Sequence, residues 1–316
     1  MTDITAGVGN GAPNVKSDVA WVQTALARHA RWLSPLAAPP VTGTLDPETT
    51  RAILQFQATA AALAHPDGVV SPRGFTVKQL ARALIPYPAN PIFSPVCWNH
   101  TGDALTAADY TAAAATLGCQ AAAIQAVAQT ETKRAAWDDL GRPTILYERH
   151  YFSRLSGHLY DATHPDISSR HAYQRATAGV SADNVYGPTR NQYARLFRAA
   201  VLDETAALQS ASWGLFQIMG ANYAACGFTS VDDFVAAMMA SEKRQLDALV
   251  AFISANAAMK TALQKLDFTG FAKRYNGTDD GTLTGNVVDN YDGRMRDAYN
   301  ALVPPARPPA GPAAHP

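Results

Sequence analysis

In the stretch AAAIQAVAQTETKRAAWDDLGRPTILYERHY, residues 121–151, Ile124, Val127 and Glu131 fall at i, i+3 and i+7. A helix through these residues puts one carboxylate on its apolar face. Gly141, Pro143 and the β-rich ILY come next, so the helix ends soon after Glu131. Desolvation and the negative end of the helix dipole both push a carboxylate in that position towards its protonated form. A carboxylic acid that keeps its proton near neutral pH can protonate a leaving oxygen, as cleavage of a glycosidic bond requires. The competing reading is a last-turn Glu that points into water. Glu148, in YERH, is the second candidate: it could stabilise a developing positive charge or activate water. Alternatively it is an ion-pair partner of Arg142, Arg149 or His150.

Two further segments supply residue types suited to a sugar. In SWGLFQIMG, residues 212–220, Trp213 offers an aromatic face and Gln217 an amide; in YNG, residues 275–277, Tyr275 and Asn276 do the same. Gly214 would let backbone approach a ligand closely. The competing readings are a Trp213 at a helix start that packs into the core and a Tyr275 whose hydroxyl is bonded internally. His150, His158, His164 and His171 are spaced too irregularly for a metal site, so neither metal nor organic cofactor is expected. Gly214 and Gly220 are not a dinucleotide loop, with no strand expected before them and no acidic residue at the needed distance.

The elements that position these residues can be read along the chain. At 316 residues the chain is comfortable for two domains. Hydrophobic residues make up 47% and Ala-rich runs are frequent, so the expected fold class is mainly α, with a minor β element at ILY. Lys and Arg total 26 against 26 Asp and Glu, which argues against a protein held by nucleic-acid phosphate. No run approaches the roughly 18 apolar residues of a membrane span, and no signal peptide is visible at the N-terminus. Cys97, Cys119 and Cys226 are scattered and odd in number, and read as small buried apolar residues.

Residues 1–85 read as a small three-helix unit. Val15, Val19, Val22 and Leu26 mark the inner face of its first helix. Asp46 is placed as N-cap with Pro47 at the first helical position, and Ile53 and Phe56 face inward behind them. Val77, Leu80 and Leu84 mark the third helix. Residues 86–105 form a Pro-rich connection in which Ile92, Phe93 and Trp98 could dock on the second domain. Residues 106–303 read as that larger helical domain. Thr106 and Asp109 open it with a capping box, and Gly118 closes that helix. An irregular excursion is expected over 153–187, then a helix from Pro188 to about Leu208, a long helix near Val231–Ile253 and a shorter one near Ala257–Leu266. The last helix has Val288, Tyr291, Met295 and Leu302 inward. The Pro- and Ala-rich tail, 304–316, has no means of building a core.

These motifs carry two resemblances. Residues 8–84, with V..VQTAL, VTGTLDPETTRAILQFQ and DGVVSPRGFTVKQL in order, resemble the peptidoglycan-binding type 1 domain. Residues from about 106 to 302 look like the N-acetylmuramidase domain of modular phage endolysins, within the lysozyme-like superfamily. The markers are the Glu-bearing helix, GRPTILYERHYF, SWGLFQIMGANY and YNG. The family's catalytic Glu maps onto Glu131, and the Glu before Arg-His maps onto Glu148. The chain departs from the pattern at Thr132-Lys133-Arg134, where the family commonly has Ser-Gly-Gly. It departs again at Leu140, which stands where an Asp often precedes the Gly of GRP; this displaces Asp138 and Asp139 and leaves their part in holding water or substrate open.

The resemblance implies a two-domain peptidoglycan hydrolase that cleaves between MurNAc and GlcNAc, with glycan strands as its partner. It also implies a monomer with no nucleic-acid partner and no stable membrane insertion. Such an enzyme would be made in the host cytoplasm and meet the periplasmic wall after a membrane lesion. A lytic transglycosylase using the same acid, or a wall-binding protein with a degenerate cleft, are the alternatives.

Overall fold

The structure, a computed structural model, describes residues 4–33, 36–61, 63, 66–83, 85, 87–88, 90, 93, 104–131, 135–138, 141–174, 179–181, 184–186, 189–275 and 290–303. Among these, helix dominates and the two sheets are small.

The N-terminal part runs β1 (Val8–Gly9), α1 (Lys16–Arg28), α2 (Ala30–Leu33), α3 (Pro47–Ala58), β2 (Val69–Val70) and α4 (Phe75–Leu80). β1 and β2 pair antiparallel, with Val8 opposite Val70. The Asp46 carboxylate caps α3 by accepting from the Thr49 amide at 2.6 Å, with Pro47 at the first helical position, as the sequence predicts. Val19, Val22, Leu26, Ile53, Phe56, Val77 and Leu80 make the core. Val15 is exposed instead, because α1 starts one residue after it and leaves it at the N-cap; Leu84 lies outside the described residues. The motif glutamines are structural. Gln23 takes the Thr42 and Gly43 amides and donates to Thr49 Oγ1, and Gln57 takes the Asp67 and Gly68 amides and donates to Thr76 Oγ1. Each ties a loop to a helix at a fully buried position.

The larger part opens with α5 (Ala107–Leu117) and α6 (Ala121–Glu131). The Thr106–Asp109 capping box is made, and Gly118 closes α5 in the left-handed conformation. β3 (Ile145–Tyr147) and α7 (Arg149–Leu155) come next, then α8 (Thr189–Leu202) and α9 (Glu204–Gln209). The single helix expected to run to Leu208 is broken at Asp203, whose side chain caps α9 through the Ala206 amide. SWGLFQIMG is a hairpin, not a helix start: β4 (Ala211–Trp213) and β5 (Ile218–Met219) pair antiparallel, and β3 adds antiparallel to β4. A strand therefore does precede Gly214. The long helix near Val231–Ile253 is two, α10 (Val231–Ala240) and α11 (Glu242–Ala255). Ser241 is extended between them and caps the second. α12 (Ala257–Gln264), α13 (Phe268–Tyr275) and α14 (Tyr291–Leu302) complete the body. α14 lies along α6 in the most extensive helix–helix packing of the molecule, and the Tyr299 hydroxyl pins the pair by donating to Gln120 Oε1 at 2.6 Å.

The two parts meet in an aromatic seam. Phe197 of α8 is ringed by Trp32 of α2 and by Tyr87 and Phe93 of the connecting segment, with ring centroids 5.1 to 5.8 Å away. Phe93 is 1% exposed and docks as its position suggests; Ile92 and Trp98 lie outside the described residues. Asn90 Nδ2 adds polar contacts to Glu204 and Asp232 at 2.8 and 2.5 Å.

Candidate active site

Glu131 is the last residue of α6, on the face that α14 covers. Its carboxyl is pushed up to about 7, principally by desolvation. Two groups on α14 oppose that push by favouring the charged form, the Tyr291 hydroxyl and the Arg294 guanidinium. The Tyr291 hydroxyl is buried and makes no regular hydrogen bond among the described residues, yet lies close enough to the carboxyl to act on it. Tyr275 of α13 stands on the same side, and its own hydroxyl is held neutral by burial and by the Glu131 charge. A carboxyl group titrating near 7 is half protonated at neutral pH, which suits a general acid.

The hairpin is joined to α13 through Tyr275, whose hydroxyl donates to the Phe216 carbonyl at 2.6 Å. Gln217 has φ of 47°, and its side chain closes the β4–β5 turn. Nε2 donates to the Thr144 and Gly214 carbonyls at 3.1 and 2.7 Å, and Oε1 accepts from Ser212 Oγ at 3.0 Å. Gly214 has φ of 69°, and a Cβ there would meet the Gln245 amide at 2.5 Å. It is required by packing rather than by a ligand. Gly220 is similar, since a Cβ would meet the Leu208 carbonyl oxygen at 2.2 Å.

Of the expected sugar contacts, the structure corrects Trp213. Trp213 is 0% exposed and its indole donates to the Leu208 carbonyl at 3.1 Å, so it is core and offers no face to a ligand. Gln217 and Tyr275 bond their polar ends within the protein, Gln217 to backbone and Ser212 Oγ and Tyr275 to backbone, and Tyr275 keeps its place beside Glu131. Asn276 lies outside the described residues.

Glu148 stands at the other end of β3. Its amide donates to the Ser210 carbonyl at 2.8 Å, and it precedes α7. The three residues of β3 separate it from Thr144. Both its oxygens accept from the Tyr186 hydroxyl at 3.1 Å, and His150 Nδ1 lies 3.3 Å away. Of the three residues expected as partners, His150 is the one that lies beside it. Arg149 instead donates to backbone carbonyls and to Asn184 Oδ1, and Arg142 pairs with Asp138 at 2.7 Å. That buried pair, with Arg142 lying 3.8 Å over the Tyr193 ring, occupies Asp138 and takes it out of consideration for holding water. Asp139 lies outside the described residues.

The residues that sequence reasoning undervalued are Tyr186, Tyr291 and Arg294. Tyr291 is visible as an inward position of the last helix, but nothing local shows that it faces a carboxyl far earlier in the chain.

The mainly helical body with its small sheets is that of a lysozyme-like fold. The chain belongs to the N-acetylmuramidase family, whose model matches residues 120–303. Residues 15–77 match the putative peptidoglycan binding domain. These matches make the protein a glycoside hydrolase acting on peptidoglycan. Among solved structures, the crystal structure of the Burkholderia AP3 phage endolysin is similar, with 29% identity and a TM-score of 0.53; the match covers 90% of this chain and 95% of that one. No curated protein is significantly similar in sequence.

Proposed function

We propose that the protein is an endolysin in which Glu131 is the general acid, protonating the oxygen between MurNAc C1 and GlcNAc O4. The observation that carries this reading is the Glu131 carboxyl raised to about 7 at the end of α6. As the C1–O4 bond breaks, charge spreads over an oxocarbenium-like ring, and water adds at C1 to leave a reducing MurNAc end. Glu148 is proposed for the supporting role. Held by Tyr186 and His150 at the far end of β3, it acts through its field on the developing charge rather than by contact. Residues 1–85 would hold the enzyme on the wall, residues 106–303 would cleave it, and the seam on Phe197 would fix one part against the other. The protein would work as a monomer, without nucleic acid or membrane partners, reaching the wall from the cytoplasm through a membrane lesion. No single described helix is long and apolar enough to cross a membrane.

Digestion of sacculi followed by borohydride reduction tests the reaction. Soluble muropeptides ending in muramitol are expected. Products that resist borohydride and are lighter by one water would mean transglycosylation, and no soluble product at all would mean a binding protein.

A further inference from the structure

Tyr291 is set with unusual care for a residue at the start of a helix. Asn290 opens α14 in the left-handed conformation, with φ of 52°. Asp292, the next residue on, accepts from Thr269 Oγ1 at 2.6 Å. The Tyr291 ring stacks on Tyr275 at 6.3 Å and 26°, and Tyr275 stacks in turn on Phe271 at 5.2 Å. Tyr299 fastens the other end of α14 to Gln120. All this rigidity delivers a hydroxyl that is buried and has no regular hydrogen bond among the described residues. Leaving such a group unsatisfied costs free energy, and the group it faces is the Glu131 carboxyl. While Glu131 holds its proton, the attraction between the two is weak. Once that proton has gone to the leaving oxygen, the carboxylate is a full charge beside a preplaced hydroxyl, and hydrogen bonds to a charged group are the stronger kind.

We propose that Tyr291 is the positioning residue of the acid: its hydroxyl engages Glu131 as the carboxylate forms, and holds that side chain in place for reprotonation. Tyr291 keeps its own proton throughout; the proton that moves is that of Glu131, which goes to the glycosidic oxygen and is restored from solvent. The inference rests on Glu131 being the acid. Among the described residues, Tyr291 and Arg294 from α14 and Tyr275 from α13 are the titratable or charged groups that face Glu131, and Tyr291 and Arg294 are the two that favour its charged form.

Tyr291→Phe in the full chain keeps the ring stack and removes only the hydroxyl. We expect kcat on sacculi to fall about tenfold with little change in KM, the low end of what a hydrogen bond to a charged group is worth. The alkaline limb of the rate profile should move upward by about half a pH unit or more, because Glu131 then holds its proton longer. Tyr299→Phe is the packing control: it loosens the same helix pair at the other end, and should lower the melting temperature without moving the limb. A Tyr291→Phe enzyme with wild-type kcat and an unmoved limb overturns the proposal. So does a loss of kcat with the limb in place, which would mark Tyr291 as packing alone. Glu131→Gln separates this failure from that of the parent reading, since an active Glu131→Gln enzyme would remove the acid itself.

Discussion

At the C-terminus of α6, Glu131 faces two tyrosines and an arginine, and desolvation outweighs the help of Tyr291 and Arg294. At the N-terminus of α7, Glu148 accepts on both oxygens from Tyr186 and has His150 beside it. The side chain is the same in both places. What differs, among the described residues, is whether a tyrosine hydroxyl beside it is in regular hydrogen-bonding contact with it. Around Glu148 the hydrogen bonds are already made, as suits a fixed negative charge. Beside Glu131 the Tyr291 hydroxyl makes no regular hydrogen bond among the described residues, as suits an acid that must cycle. The chain thus sets two chemistries with one kind of side chain by its surroundings.

Replacement of Glu131 by Gln should have the largest effect, lowering the rate on sacculi by at least about a hundredfold with far-UV dichroism unchanged. The same variant should be more stable than wild type at alkaline pH. A group whose folded pKa lies above its unfolded one destabilises the fold as pH rises through that interval, here from 4.5 to about 7. Melting curves should show the gain at about pH 8, on the order of 2–3 kcal/mol, and almost none near pH 4. If the gain is the same at both, desolvation is not what sets this carboxyl apart.

Glu148→Gln should cost less, several-fold in rate, and the gap from wild type should narrow as salt rises from about 20 to 500 mM, because an effect carried by charge alone is screened. A salt-independent loss as deep as that of Glu131→Gln would place Glu148 in contact with substrate and erase the contrast. The smallest change is expected for Tyr186→Phe, about two- to threefold in rate, since His150 still faces the carboxylate.

How much of this was legible in the sequence depended on distance along the chain. The Glu131 helix, the Asp46 cap and the Thr106–Asp109 box are set by neighbours three or four residues away, and all three stand where the pattern places them. The hairpin at SWGLFQIMG was missed because its strands are two and three residues long, too short for a period of two to register. Its turn depends on Gln217 taking a positive φ while bonding to Thr144. Trp213 looked like a sugar platform because an aromatic residue beside glycines fits that role equally well. Its burial results from β3 and α9 closing over it, which no local signal carries. The same holds for Tyr186 on Glu148 and Tyr291 on Glu131, where the partner lies dozens of residues away or more.

The rings gathered on Phe197 bear on anyone who would recombine wall-lytic enzymes. Trp32, Tyr87 and Phe93 cover it, so severing the chain near residue 90 leaves a sticky apolar scar on both fragments. Such a scar invites self-association and loss of protein during purification. A donor binding module would graft well only if it brought its own rings to that spot, or if Phe197 were first recast as a hydrophilic residue.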